Sequence, residues 1–253
     1  MKFQTKSRLI YLTRARHRGG HGIHSPFLFR LITTVIEDKR ELTDYLVLKE
    51  LKKMALKLLS NSSDPLIQEL FKKFNLPVSK PRKLYRKVEM PIKYAKVVFR
   101  LIRELKPAVV INYGDTLGIN LSVAAMAQNP ACVYQVTNKP EYRLLCERLL
   151  KKSDTSNIQW INTEADSPVT TEFVIINYPD QPELTESIIR KSLSNHGDND
   201  LLIVRGIHDS AKTEAIWLEL IANDSVRISL DLFEVGIALF CRKLQKENFI
   251  YNF

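Results

Sequence analysis

Val109-Val110-Ile111-Asn112-Tyr113-Gly114-Asp115-Thr116-Leu117-Gly118 is the stretch that decides the fold. Its start overlaps the short apolar run Ala108–Ile111. It then passes a turn holding two of the chain's eight glycines and leads into the helical stretch Ile119–Gln128. An apolar run, a glycine turn and a helix make one strand-to-helix unit, and the unit recurs downstream. Cys132–Val136 reads as a second strand, with a helix over residues 140–152. Ile158–Ile161, Phe173–Ile176 and Leu201–Val204 read as three more strands, and helical stretches fill 182–193 and 211–222. Five strands with mostly helical connections predict a parallel sheet covered on both faces. The end breaks the pattern. Val226–Leu232 and Val235–Cys241 are separated by Phe233 and Glu234 alone, too few residues for a crossover, so the two must form an antiparallel hairpin.

Upstream of the quoted stretch the chain reads as helix. Ser25-Pro26 places an N-cap residue directly before a proline, and Phe27, Leu28, Leu31, Ile32, Val35 and Ile36 follow on one helical face. Leu46, Leu51, Met54, Leu58 and Leu59 suggest a second helix, and Asp64-Pro65 starts a third through Leu66, Ile67, Leu70, Phe71 and Phe74. Residues 75–91 contain Pro77, Pro81 and Pro91 and cannot be one continuous helix, so they are expected to act as a linker or lid. Residues 92–105 make one more amphipathic helix, ended by Lys106-Pro107. The expected division is a basic helical extension over 1–91 and a sheet domain over 92–253.

Composition narrows the classes. The chain has 253 residues, 45% of them hydrophobic and 26% charged, the balance of a protein with a real core. Its three cysteines, Cys132, Cys146 and Cys241, form no CxxC pair, so neither a disulfide scaffold nor a cysteine zinc site is expected. No apolar run reaches the ~18 residues of a membrane span, and the stretch Leu9–Leu12 is too short for a signal-peptide core; the cytoplasm is the expected compartment. Charge is divided sharply. Residues 1–106 hold 25 Lys and Arg against 9 Asp and Glu, a net of +16, whereas residues 107–253 hold 13 against 19, a net of −6. Only the first half can attract nucleic acid or an anionic surface electrostatically.

The element order resembles that of class I S-adenosylmethionine-dependent methyltransferases over residues 92–253. A bacterial O-methyltransferase-like subgroup writes the glycine loop E-L-G-T-S-L-G, begins H-G-x-H-S-P-F and ends in a D-L-F…G hairpin. The matching segments are Asn112–Gly118, His21-Gly22-Ile23-His24-Ser25-Pro26-Phe27 and Asp231-Leu232-Phe233-Glu234-Val235-Gly236. The resemblance implies an α/β, Rossmann-like seven-stranded sheet with a terminal antiparallel hairpin and an N-terminal helical extension. It also implies S-adenosylmethionine as cofactor and O-methyl transfer to a small-molecule acceptor. The cofactor-binding candidates it assigns are Asn112, Gly114, Asp115, Gly118, Thr137, Asn138 and Asn177.

The sequence departs from that pattern at its acids. The cofactor's ammonium, sulfonium and ribose hydroxyls call for carboxylates, whose charge-assisted hydrogen bonds are stronger than neutral ones. This chain has Asn112 after the first strand, Thr137-Asn138 after the second, Asn177-Tyr178 after the fourth and Arg205-Gly206 after the fifth. Two readings stand. Either amides and hydroxyls still hold the cofactor, with affinity weakened, or the domain is a retired methyltransferase that binds or scaffolds through its basic half. His208 is the candidate general base, against a plain structural role beside the helix cap Asp209-Ser210. No metal is expected, because Arg205 puts a fixed positive charge where related chains gather carboxylates. His17, His21 and His24 lack a completing ligand, and a structural role at the helix entry is the expectation. The segment with Lys2, Lys6, Arg8, Arg14, Arg16 and Arg18 reads as a solvated face or as a contact for RNA or anionic lipid. The stretch 78–91 reads as a tether or as a basic lid suited to an anionic substrate.

Overall fold

The computed structural model describes residues 3–15, 25–127, 132–150, 157–168, 172–178 and 180–253. His17, His21, His24, Lys2, Arg16 and Arg18 lie outside them. The sheet strands are β1 (Val109–Gly114), β2 (Cys132–Val136), β3 (Ile158–Ile161), β4 (Phe173–Asn177), β5 (Leu201–Arg205), β6 (Ile228–Asp231), β7 (Val235–Leu239) and β8 (Glu247–Ile250). Their order is β3-β2-β1-β4-β5-β7-β6-β8. All neighbouring pairs are parallel except those of β7, which runs antiparallel to β5 and to β6. The predicted hairpin is therefore inserted between β5 and the sheet's far edge.

The sheet has eight strands among the described residues, so the expected count of seven is corrected. The eighth, Glu247–Ile250, pairs parallel with β6 and covers what would otherwise be an open edge. Ser229 Oγ donates to Asn248 Oδ1 at 2.6 Å, and Phe249 and Tyr251 are buried. Four residues with a charged and an amide side chain among them give no apolar run to detect in sequence.

Both sheet faces are buried, as a parallel sheet requires. Along β1, Val110 joins the core on one face, while Ile111 and Tyr113 join the core on the other. The second face is covered by α9 (Pro182–Asn195) and α10 (Ala211–Ala222). The first is covered by α6 (Ile92–Leu105), α7 (Ile119–Met126) and α8 (Pro140–Leu150).

The upstream helices α1 (Phe3–Arg14), α2 (Pro26–Arg30), α3 (Asp44–Leu59), α4 (Pro65–Lys73) and α5 (Pro81–Val88) precede this layer. Ser25 Oγ accepts from Leu28 N, and Asp64 Oδ1 accepts from Leu66 N, so both N-caps read from the sequence form. α2 widens into a π-helical turn over Leu31–Ile36, closed by Glu37 N donating to Ile32 O. α3 packs on α5, α6, α7 and α8, and its buried Tyr45, Leu48, Leu51 and Ala55 belong to the same hydrophobic cluster as one face of the sheet.

Arg100 on α6 fixes that layer. Its guanidinium donates to Val35 O, to Ile36 O at 3.1 Å and to the Tyr45 hydroxyl at 3.0 Å, with only 7% of the residue exposed. The carbonyls at the end of the π-helical turn have no intrahelical partner, and Arg100 supplies one. Hydrogen bonds from a charged group contribute ~1.5–3 kcal/mol each. Arg100→Met should therefore lower unfolding free energy by about 2–3 kcal/mol in urea titration, and an unchanged midpoint would show that the contact is not structural.

Candidate functional site

Open parallel sheets bind ligands at the carboxyl ends of their strands, at the point where strand order reverses. Here that point lies between β1 and β4. Gly114 ends β1 with φ +114°, and a Cβ there would lie 2.3 Å from Asn177 O. Close approach of the β4 backbone thus demands this glycine, with or without a ligand. Gly118, with φ +110°, is the N-cap of α7, and a Cβ there would press on the Leu150 side chain at 3.1 Å.

The amides at the start of α7 already have an acceptor. Glu89, fully buried, places Oε1 2.6 Å from the Thr116 hydroxyl, 2.5 Å from Leu117 N and 3.0 Å from Gly118 N. A carboxylate at a helix N-terminus is favoured by the helix dipole and the unpaired amides. Burial pushes the Glu89 carboxyl above the usual carboxylate range, opposed by these hydrogen bonds and by the positive charge of Arg205. Glu89 follows directly after α5, so the upstream half of the chain supplies this cap.

Arg205 at the end of β5 completes the closure. It is 8% exposed and donates to Val88 O at 3.0 Å, Asn177 Oδ1 at 2.7 Å and Arg86 O at 2.6 Å. Asn177 in turn donates to Val88 O at 3.0 Å and to Asp115 O at 2.6 Å. The backbone of residues 86–89 is thereby tied to the ends of β1, β4 and β5. Residues 75–91 thus include an eight-residue helix that starts at Pro81 and ends at Val88.

Beside this closure lies a cavity of about 470 Å³ lined by Lys73, Lys139, Asp115, Asn177 and Tyr178, with Lys87 and Asp180 at its edge. Asp115 Oδ2 is 2.5 Å from Lys139 Nζ and 3.2 Å from Lys73 Nζ, while Thr137 Oγ1 donates to Oδ1 at 3.3 Å. Burial holds the Lys73 ammonium below its usual range despite Asp115, and the neighbouring Lys139 adds to the effect. Lys87 pairs with Asp180 at 3.3 Å.

The candidates separate accordingly. Gly114, Asp115, Thr137 and Asn177 meet at the mouth, and exposed Asn138 lies just past Thr137. Gly118 caps α7 below Glu89. Asn112 sits between strands, donating to Gln135 Oε1 at 2.6 Å, with its own Oδ1 buried and without a hydrogen bond. Sequence reasoning missed Glu89, Lys73 and Lys139. A signal for Glu89 existed, as the only acid in the basic stretch 78–91.

His208 is not at this mouth. Its Nε2 lies 2.8 Å from Asp231 Oδ2, its Nδ1 3.4 Å from Glu214 Oε1, and its ring stacks on Phe233 at 5.3 Å. Burial alone would lower its pKa, but the hydrogen bond and charge of Asp231, with Glu214, raise it above the usual histidine value. A folded value above the unfolded one means full stabilisation below about pH 6.5, lost as pH rises through the folded value. Urea midpoints should therefore fall as the pH is raised through the interval above about 6.5, and His208→Gln should flatten the slope. A wild-type midpoint that stays level or rises over that interval would contradict the pairing.

No protein-family model matches the sequence, and no curated protein does. Solved structures do. An O-methyltransferase from Bacillus cereus in complex with SAH aligns with 90% of this chain and 99% of its own, at TM-score 0.52 and 11% identity. An SAH-bound methyltransferase from Podospora anserina aligns with 80% of this chain and 98% of its own, at TM-score 0.52 and 9% identity. At such identity the likeness concerns architecture, and the chain has the methyltransferase fold.

Proposed function

We propose that this methyltransferase-fold chain works as a binding module, and that transfer from S-adenosylmethionine is not the work of its mouth. The observation that carries the reading is how far the groups there are already engaged with one another. The cofactor brings an ammonium, a sulfonium and two ribose hydroxyls, all of which call for acceptors. The residues present fit it poorly. Asn112 donates to Gln135 and keeps only its buried Oδ1 as a spare acceptor, and both ends of the Asn177 amide are taken by Val88, Asp115 and Arg205. Asp115 is neutralised between Lys73 and Lys139. The helix amides that could receive the cofactor's carboxylate already hold Glu89.

Magnitudes support the same side. Replacing a charge-assisted hydrogen bond by a neutral one costs ~1–2 kcal/mol, so three replacements weaken binding by about two to four orders of magnitude. In this reading residues 92–253 act as scaffold, and the basic residues 1–91 supply the contact surface.

A second reading, O-methyl transfer to a small molecule, is favoured by the cavity at the switch point and by the SAH described in the two structural neighbours. It would need a base that reaches this cavity, which His208 does not line. Calorimetric titration separates the two. S-adenosylmethionine and S-adenosylhomocysteine should give no saturable heat up to about 1 mM, whereas micromolar binding of either would overturn the binding-module reading in favour of methyl transfer.

A further inference from the structure

A second cavity, of about 630 Å³, opens on the other side of the Arg205 closure. Three separate parts of the chain bring cations to it. Arg8 comes from α1, Lys83, Arg86 and Lys87 from α5, and Arg205 from the end of β5. Two acids, Asp209 and Glu234, also line it, leaving five formal positive charges against two negative. Asp209 accepts from Gln4 Nε2 at 2.7 Å.

Lys87 pairs with Asp180, but Arg8, Lys83 and Arg86 make no ion pair among the described residues. All three side chains are exposed, while the Arg205 guanidinium below them is buried. Like charges gathered around a concavity repel one another, and helix α5 carries three of them within five residues. Such an arrangement is unfavourable in the free protein and is relieved by an anion that bridges them.

One wall adds a second requirement. Phe233 has φ +74°, in the left-handed region that a bulky side chain rarely adopts. Asp231 Oδ1 holds this conformation by accepting from Phe233 N at 2.8 Å. The resulting ring lines the cavity, with the Arg8 guanidinium 5.7 Å from its centroid and His208 stacked on it. Leu76 lines the cavity as well. A strained aromatic and an aliphatic side chain offer an apolar surface beside the cations.

We propose that this cavity is a binding site for a soluble small molecule bearing a phosphate or diphosphate group, held by Lys83, Arg86 and Arg8 over the buried charge of Arg205, with its apolar part against Phe233. Arginine forks suit phosphate oxygens, and a dianion matches the excess of positive charge better than a carboxylate does. The concave shape favours a small ligand over a nucleic-acid strand, which would need an extended groove. The site does not depend on whether the neighbouring mouth cavity takes S-adenosylmethionine.

Inorganic pyrophosphate serves as the probe. Calorimetry on the full chain should show one saturable site with Kd below about 100 µM. The double substitution Lys83→Glu/Arg86→Glu should weaken binding at least about tenfold, while the thermal midpoint of the ligand-free protein moves by no more than about 2 °C. Lys243→Glu, an exposed change past the end of β7 remote from Phe233 and Glu234, should leave affinity unchanged. The proposal is overturned if pyrophosphate gives no saturable heat or if the double variant binds it as well as wild type. It is equally overturned if an RNA oligomer binds and pyrophosphate does not displace it.

Discussion

A carboxylate that belongs to the protein sits where a nucleotide-type sheet would present bare amides to a ligand. Glu89 accepts from the Thr116 hydroxyl and from the amides of Leu117 and Gly118, and no part of it is exposed. The start of a buried helix must find acceptors somewhere, and here the upstream chain supplies them. Once Glu89 is fixed, Val88 must lie across the mouth. Arg205 and Asn177 then have carbonyls to bind, and α5 is held against α3. The helical extension and the sheet share one hydrophobic cluster as a consequence.

Charge follows the same logic. A fully buried Glu89 needs positive charge nearby, and Arg205 answers it from the end of β5. Lys73 and Lys139 do the equivalent for Asp115. The mouth is neutralised from within, by residues that lie far apart in sequence. In the binding-module reading proposed above, a mouth tied in this way serves a stable scaffold.

The sheet was legible because its signals are local. Cys132–Val136 and Ile158–Ile161 are short apolar runs whose bounds can be read directly, and the two-residue gap at Phe233-Glu234 admits only a hairpin. Glu247–Ile250 was not legible, since its place depends on β6 offering an edge rather than on its own hydrophobicity. That Asn112, Thr137, Asn177 and Arg205 are not acids was also visible in the sequence. The pairings at the mouth were not. Lys73 meets Asp115 across 42 positions and Glu89 meets Thr116 across 27, and no periodicity or motif encodes such pairings. His208 is a different case, since its position after the fifth strand could be read from the sequence but its partners Asp231 and Glu214 could not.

The most direct test of this account is amide hydrogen exchange at Leu117 and Gly118. If Glu89 holds these amides, they should exchange in the free protein as slowly as the central strands β1 and β4, and millimolar S-adenosylhomocysteine should not change their rates. Exchange as fast as that of an open loop, or protection appearing only when S-adenosylhomocysteine is added, would mean that the mouth is open and that its ligand comes from outside the chain.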